Sequence, residues 1–222
     1  MSTFLIPARA GSKGVLKKNL RLAGGISLLR RTVLSAIETE LGEVFVSSDN
    51  EEILNEAMDC GASVHLRESW AASDDATAND VVKEFSARHE VETLIYLQPT
   101  SPLRTAEHIS EAWQLFVKAG KPVVSVSVSK VHPAKMLRLN DQGFLTAPRY
   151  EQGLNHNRQS LDPVFVHNGA IYIFAINDFL KTLEFPIEGA VGYIMNGASS
   201  VDIDDEFDLQ FADYILEARK DG

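Results

Sequence analysis

IPARAGSKGVLKKN, residues 6–19, starts at the end of a short apolar run and contains two glycines among four cationic side chains. The apolar run TFLIPA, residues 3–8, is typical of a buried strand, so the glycines belong to a loop that follows it. Glycines let backbone N–H groups approach an anion closely, and Arg9, Lys13 and Lys18 add charged donors. The stretch therefore predicts an α/β unit whose first loop binds phosphate.

This loop matches neither of the standard phosphate-binding patterns. Lys13 precedes Gly14 and no Ser or Thr follows, so G-x-x-x-x-G-K-[ST] is absent from the loop, as is G-x-G-x-x-G. The alternative is a basic surface turn. We favour phosphate binding because residues 1–37 contain seven Lys or Arg and no acid, in a chain whose formal net charge is -10.

Beyond the first loop, short apolar runs alternate with helical patterns. The strand predictions cover residues 3–8, 43–48, 62–66, 93–98, 122–128 and 170–175. The helix predictions cover residues 27–40, 49–61, 77–90, 105–120 and 205–220. This alternation predicts an α/β fold, a Rossmann-like and mainly parallel sheet with helices on both faces. Ligands of such sheets bind beyond the carboxyl ends of the strands.

Composition limits the class of protein. A chain of 222 residues that is 45% hydrophobic can bury one substantial core, so we expect a single domain over residues 1–222. The net charge of -10 argues against a nucleic-acid binder, and we see no apolar run long enough for a membrane span. A single cysteine, Cys60, excludes an intrachain disulfide and fits a reducing compartment. We therefore expect a soluble, cytoplasmic protein.

Residues 129–169 interrupt the alternation of strands and helices. The segment is polar and is punctuated by proline and glycine, which indicates an excursion from the sheet. We expect it to form a small lobe or a dimerisation arm. His132 and His156 lie in it, and we expect both to be structural because neither belongs to a motif.

QPTSPLRT, residues 98–105, follows a predicted strand and contains two prolines that stiffen the turn. Gln98 and Arg104 are our candidates for ligand contact in this turn. Thr105 is expected to cap the next helix. The alternative is a plain strand-to-helix turn with no ligand.

SSVDIDDEFD, residues 199–208, offers two carboxylates on one side of an extended segment, with Ile203 on the other side. Asp202 and Asp204 repel each other unless a cation lies between them, and carboxylates together with substrate phosphates suit Mg²⁺. The alternative is helix capping, which we expect of Asp205 and Glu206. Cations on one side and a carboxylate-bound metal on the other favour attack on a nucleotide phosphorus.

Five stretches together resemble the CMP-sialic acid synthetase family of cytidylyltransferases. The pattern of that family is I-P-A-R-x-x-S-K-G, then K-N, Q-P-T-S-P-L-R, N-G-A-I-Y and D-x-D. This chain has IPARAGSKG, Lys18–Asn19, QPTSPLR, NGAIY at residues 168–172 and DID at residues 202–204, in the same order. Because the matches span nearly the whole chain, the resemblance is specific.

The resemblance implies a nucleotide-diphospho-sugar transferase type of α/β fold and a homodimer joined through residues 129–169. From the net charge and the short apolar runs we expect no nucleic-acid or membrane partner. It implies that CTP and a sialic-acid-like, nine-carbon sugar acid react to give a CMP-sugar and pyrophosphate. The implied catalytic residues are Arg9, Lys18, Asp202 and Asp204, of which the two aspartates would hold Mg²⁺. The implied nucleotide contacts are Ala8, Arg9, Ser12, Lys13, Asn19, Arg67 and Thr77, and the implied sugar contacts are Gln98, Arg104, Arg158, Gln159, Asn168, Tyr172 and Phe185.

The chain also departs from the family pattern. Leu16 stands where the family often has proline, and Ala78 stands where a serine is common, so a hydroxyl contact to the nucleotide falls to Thr77. Val166 stands where sialic acid enzymes often carry arginine. The last difference leaves room for legionaminate- or pseudaminate-type sugars.

Other functions stay open on the sequence. A 3-deoxy-manno-octulosonate cytidylyltransferase would lack the S-K-G and K-N pairing of the first loop, and a binding-only homologue would not need a pair of metal-binding carboxylates. A nicotinamide dehydrogenase would need G-x-G-x-x-G after the first strand. The group that takes the proton of the attacking hydroxyl is open between a metal-bound water and an aspartate.

Overall fold

The computed structural model describes residues 2–11, 14–147, 157 and 161–219 of the chain. The strands are β1 (Ser2–Pro7), β2 (Leu22–Ala23), β3 (Ile26–Ser27), β4 (Gly42–Ser48), β5 (Ser63–Leu66), β6 (Thr93–Tyr96), β7 (Val123–Val128), β8 (Arg138–Leu139), β9 (Leu145–Thr146), β10 (Phe165–Ala175) and β11 (Val191–Ile194). The helices are α1 (Leu28–Ile37), α2 (Glu51–Asp59), α3 (Ser69–Ala72), α4 (Ala78–Ser86), α5 (Ala106–Ala119), α6 (Ile176–Thr182) and α7 (Glu206–Ala218).

A seven-stranded sheet forms the centre of the fold, in the order β11-β7-β10-β6-β1-β4-β5. The pairs β1–β4, β1–β6, β4–β5 and β7–β11 are parallel, whereas β10 is antiparallel to both β6 and β7. The predicted mainly parallel sheet is therefore confirmed. Because β1, β4, β5 and β6 point the same way, the loops that follow them meet at one edge of the sheet.

Helices cover both faces of this sheet, as predicted. Phe4 and Ile6 of β1 belong to one core cluster, which α1, α2 and α5 complete. Leu5 between them points to the opposite face and belongs to a second cluster with Phe85 of α4 and Phe179 of α6. A strand buried on both faces explains why its sequence is an unbroken apolar run rather than an alternating one.

The helices begin at the side chains that the sequence offers as caps. The side chains of Asn50, Thr77 and Thr105 accept hydrogen bonds from backbone N–H groups in the first turns of α2, α4 and α5. Asp205 caps α7 through two backbone N–H groups. These caps fix where each loop ends, and so they fix the position of the loops at the edge of the sheet.

The described part of the segment after β7 carries the hairpin of β8 and β9, which is separate from the seven-stranded sheet. The chain returns to the sheet earlier than the strand prediction at residues 170–175 indicated, because β10 begins at Phe165 and pairs there with Val128 of β7. The sequence analysis also missed α3, α6 and β11, which are short and have no clear apolar period. His156 lies outside the described residues.

Candidate active site

A cavity of about 460 Å³ opens where the loops after β1, β5 and β6 meet the start of α4 and the segment before α7. It is the edge of the sheet at which a ligand is expected. The residues that line it are Pro7, Arg9, Gly11, Gly14, Lys18, Asn19, Arg67, Ala76, Thr77, Ala78, Val81, Tyr96, Gln98, Pro99, Thr100, Asp202 and Asp204.

The first loop forms one wall of this cavity. The side-chain amide of Asn19 donates to the backbone oxygen of Arg9 at 2.9 Å, and the N–H of Ala10 donates to the carboxylate of Asp49 at 3.0 Å. These two hydrogen bonds fold the loop back on itself beside the end of β4. Ser12 and Lys13, two of the expected nucleotide contacts, lie outside the described residues.

The first loop packs directly against the segment that carries the two aspartates. A Cβ added to Gly14 would lie 2.0 Å from the backbone oxygen of Asp204, so only glycine fits at this position without a shift of the backbone. The ammonium group of Lys18 donates to the backbone oxygen of Ile203 at 2.6 Å and lies 3.9 Å from a carboxylate oxygen of Asp204. Two stretches about 185 positions apart in sequence are thus one site.

Asp202 brings a buried carboxylate to this contact. Its Oδ1 is buried and has no hydrogen-bond partner within the described part of the chain. Burial raises the pKa of this carboxyl, and the neighbouring Asp204 adds to the rise, while a hydrogen bond with Thr100 and the charge of Lys18 oppose it. A buried carboxylate oxygen without a donor is suited to a cation.

The protein supplies few ligands for such a cation. No cluster of three His, Cys, Asp or Glu side chains with metal-binding geometry exists among the residues that the structure covers. Asp202 and Asp204 are a two-carboxylate set, which is what Mg²⁺ takes when substrate phosphates and waters complete its shell. The donor set therefore fits Mg²⁺ held together with a phosphate ligand and does not fit a closed structural metal site.

Arg67 and Thr77 both face the cavity, and both also hold local structure. The guanidinium of Arg67 donates to Oγ of Ser47 at 3.0 Å and to its backbone oxygen at 2.6 Å, and burial lowers the pKa of this guanidinium. The hydroxyl of Thr77 donates to the carboxylate of Asp80 at 2.7 Å as part of a capping box. Both side chains line the cavity, and their contact with a nucleotide stays a prediction.

A second cavity of about 290 Å³ adjoins the first and shares Ala78, Tyr96 and Gln98 with it. The rings of Tyr96 and Tyr172 each meet the ring of Phe185 edge to face, with centroids 5.0 and 5.1 Å apart. Three expected sugar contacts, Gln98, Tyr172 and Phe185, therefore lie together here. The remaining lining residues are Asn79, Glu184 and Ile187, so no cationic side chain lines this cavity within the described residues.

Arg104, another of the expected sugar contacts, lies buried beneath the turn that carries Gln98. Its side chain is 3% exposed, and its Nη1 donates to the backbone oxygens of Gln98 at 3.0 Å and Ala170 at 2.8 Å. Burial lowers the pKa of Arg104 to about 9. Arg104 thus ties the turn after β6 to β10 and lines neither cavity within the described residues, so its expected sugar contact stays a prediction.

Asn168 and Ala8 likewise line neither cavity within the described residues, and their expected ligand contacts stay predictions. The side-chain oxygen of Asn168 accepts from Ser125 at 2.6 Å, and its amide donates to Ser200 at 2.9 Å. The side chain of Ala8 is fully buried, and its N–H donates to the backbone of Ser47. Arg158 and Gln159, the other expected sugar contacts, lie outside the described residues.

The sequence analysis missed two residues at the site. Tyr96 lines both cavities, but its position inside an apolar strand predicts a core residue. Asp74 belongs to no recognised motif, yet its carboxylate pairs with the guanidinium of Arg9 at 3.1 Å. The acidic run at Asp74 and Asp75, in a loop at the edge of the sheet, is the signal that could have drawn attention to it.

Comparison with known proteins identifies a family and a fold for this chain. A family model described as cytidylyltransferase matches residues 3–169. Two solved structures share the fold: a CMP:2-keto-3-deoxy-manno-octonic acid synthetase complexed with CTP (TM-score 0.73, 13% identity, 98% of this chain and 99% of that one), and 4-diphosphocytidyl-2C-methyl-D-erythritol synthase from Anaerococcus prevotii (TM-score 0.65, 14% identity, 97% and 98%). The predicted α/β fold is thereby confirmed.

Three curated relatives are more similar in sequence. N-acylneuraminate cytidylyltransferase of Streptococcus agalactiae serotype V is 32% identical over 228 residues, with 97% of this chain and 55% of that protein aligned. CMP-N,N'-diacetyllegionaminic acid synthase of Legionella pneumophila is 33% identical over 230 residues, with 98% and 97% aligned. N-acylneuraminate cytidylyltransferase of Escherichia coli is 36% identical over 213 residues, with 94% and 50% aligned. The chain spans about half the length of the first and third of these relatives.

Proposed function

The chain belongs to the cytidylyltransferase family, and from this premise we propose that it transfers CMP from CTP to a sialic-acid-like, nine-carbon sugar acid and releases pyrophosphate. One observation carries the proposal: the first loop and the Asp202–Asp204 segment meet in one cavity, with Lys18 in contact with both. The relatives that align with nearly all of this chain are named for N-acylneuraminate and N,N'-diacetyllegionaminate, which supports this class of sugar.

In the proposed reaction the anomeric hydroxyl of the sugar attacks the α-phosphorus of CTP in line with the leaving pyrophosphate. The protein contributes mainly by positioning the reactants and by neutralising charge. Lys18 is mostly buried, with 13% of its side chain exposed, so its charge acts on the phosphates in a medium that screens it weakly. Arg9 lines the same wall and would bind the outer phosphates.

Asp202 and Asp204 would hold Mg²⁺, which when bound neutralises phosphate charge and orients the oxygens around phosphorus. The unpartnered buried oxygen of Asp202 supports this role, because a carboxylate in that position is destabilised without a cation. The backbone contact between Gly14 and Asp204 holds the acidic segment against the phosphate-binding loop. We propose that the first loop binds the triphosphate and that Asp202 and Asp204, beside this loop, would hold the metal.

We propose that the sugar occupies the second cavity. The rings of Tyr96, Tyr172 and Phe185 offer apolar surface that suits an acyl group, while Gln98 at the shared border can hydrogen-bond to the sugar. Val166, at the start of β10, is 47% exposed in the single chain and lines neither cavity within the described residues.

We also propose that the enzyme is a homodimer in the cytoplasm. Three residues of the β8–β9 hairpin region, Leu139, Phe144 and Leu145, are 68%, 67% and 65% exposed, which is an uncommon cluster of apolar surface for a monomer. The single cysteine fits a reducing compartment. No helix in the described ranges is long and apolar enough to cross a membrane.

The test is release of pyrophosphate from CTP and Mg²⁺ across N-acetylneuraminate, legionaminate, pseudaminate and 3-deoxy-manno-octulosonate, with UTP and ATP as nucleotide controls. Release with CTP and one nine-carbon sugar is expected and would name the substrate. Release with 3-deoxy-manno-octulosonate alone would favour the eight-carbon alternative. No release with any sugar, although CTP binds, would favour a binding-only homologue.

A further inference from the structure

Arg9 is engaged by a neighbouring loop at the mouth of the cavity. Its Nη1 donates to the carboxylate of Asp74 at 3.1 Å and to the backbone oxygen of Ser73 at 3.2 Å. Each terminal nitrogen of a guanidinium carries two hydrogens, so both donors of this nitrogen are in use. A phosphate oxygen that bound there would have to displace one of the two acceptors.

The carboxylate of Asp74 reaches over the phosphate-binding loop. A Cβ added to Gly11 would lie 3.8 Å from its Oδ1, and Gly11 itself lines the cavity. The side chains of Arg9 and Asp74 are 31% and 61% exposed, so the ion pair lies in partial contact with solvent. A negative group thus lies beside the wall to which we assign the triphosphate.

We infer that Asp74 sets the affinity of the phosphate site, because its carboxylate competes with the phosphates of CTP and with pyrophosphate for Arg9. The inference rests on the proposed function. When phosphate binds, the guanidinium passes from Asp74 to the ligand, and when pyrophosphate leaves, Asp74 takes the guanidinium back. Asp74 therefore weakens the binding of both anions and assists release of the product.

If Asp74 had a purely structural role, loss of its carboxylate would change CTP affinity in the opposite direction. The loop of Ser73 and Asp74 continues into Ala76 and Thr77, which line the cavity. If the ion pair served only to hold this loop in place, loss of the carboxylate would loosen the cavity wall and weaken CTP binding. If Asp74 competes with phosphate, loss of the carboxylate strengthens CTP binding.

The experiment is calorimetric binding of CTP, pyrophosphate and cytidine to the full chain with Mg²⁺, for wild type, Asp74→Asn and Asp75→Asn. Asp75→Asn is the matched control, since it removes the same charge from the next position of the same loop. In Asp74→Asn we expect CTP and pyrophosphate to bind roughly two- to fivefold more tightly, the range of an exposed ion pair. Cytidine, which has no phosphate, should bind equally to all three proteins.

A second variant separates the carboxylate from the shape of the side chain. Asp74→Glu keeps the charge, and it should bind CTP more weakly than Asp74→Asn does. Equal or weaker CTP binding in Asp74→Asn than in Asp75→Asn would overturn the inference while leaving the proposed function intact. Absence of CTP binding in wild type would instead contradict the proposed function, and the inference would fall with it.

Discussion

Lys18 is the residue that joins the two halves of the candidate site. Its ammonium group reaches from the loop after β1 to the backbone oxygen of Ile203 and lies near the carboxylate of Asp204. Lys17, one position earlier, points elsewhere and pairs with Glu52 at 2.7 Å on the surface. The two lysines are neighbours in sequence, but only the charge of Lys18 lies in the cavity.

We therefore predict that Lys18→Ala lowers turnover more than it weakens CTP binding, by about 100- to 1,000-fold in kcat, because its charge is needed most when phosphate charge develops. Steady-state kinetics with CTP and the sugar substrate measure both parameters. Lys17→Ala is the matched control and should stay within about twofold, since an exposed pair contributes little. Unchanged kcat with a raised KM would make Lys18 a ground-state anchor only.

For single residues, the sequence is a better guide to the side chains that line the cavity than to the side chains that support it. Arg9, Lys18 and Gln98 could be chosen because they follow predicted strands, and Asp202 because it forms a two-carboxylate pattern with Asp204. Arg104 could not be separated from them, because its acceptors are backbone oxygens, which no side-chain pattern reveals. The carboxylate of Asp74 escaped attention for a similar reason: its partner lies 65 positions away.

At the scale of elements, a buried polar network holds β5 to α4. The imidazole of His65 lies 2.6 Å from the carboxylate of Glu84 and 2.9 Å from the ring of His89, and Arg88 donates to the same carboxylate at 2.8 Å. The loop after β5 carries Arg67, and the first turn of α4 lines the cavity. The network therefore holds these two walls of the cavity in a fixed position relative to each other.

This network predicts that acid destabilises the fold. Burial lowers the pKa of His89, so the folded protein binds fewer protons at this site than the unfolded chain, and stability falls as pH drops below about 6.5. Burial raises the pKa of Glu84, but the hydrogen bonds with His65 and Arg88 lower it by more, so the pKa of this carboxyl is lowered overall. That contribution is lost at still lower pH, as the carboxylate becomes protonated.

Urea unfolding at pH 7.5 and pH 5.5 tests this prediction. The midpoint should be lower at pH 5.5 in wild type, and the drop should be smaller in His89→Gln, which cannot take up a proton. Equal drops in the two proteins would show that His89 does not contribute to the pH dependence. CTP binding should weaken along with stability at pH 5.5, because the same network holds both walls.

The order of elements was easier to predict than their directions. Apolar runs and helix caps marked β1, β4, β5, β6, β7 and five of the helices, because each has a period or a cap of its own. The antiparallel direction of β10 depends on how the chain returns after residues 129–164, and this is not encoded in the strand itself. Short elements such as β11 and α6 are fixed by tertiary contacts, since β11 pairs with β7 and α6 packs against β10.

At the scale of the whole molecule, the apolar surface of the β8–β9 hairpin predicts association. We expect a dimer in size-exclusion chromatography with light scattering, and we expect Leu139→Asp combined with Leu145→Asp to shift it toward monomer, because two charges would be buried at the interface. Val117→Asp, on the exposed face of α5, is the control for an added surface charge and should remain a dimer. A wild-type monomer would refute the proposed arm.

The central claim is that the first loop and the Asp202–Asp204 segment form a single centre for nucleotidyl transfer. The most direct measurement compares sugar-dependent release of pyrophosphate from CTP by wild type, Asp202→Asn and the surface control Asp59→Asn at the same Mg²⁺ concentration. We predict that Asp202→Asn loses at least about 100-fold in rate, while Asp59→Asn retains the wild-type rate. Full activity in Asp202→Asn would contradict the claim.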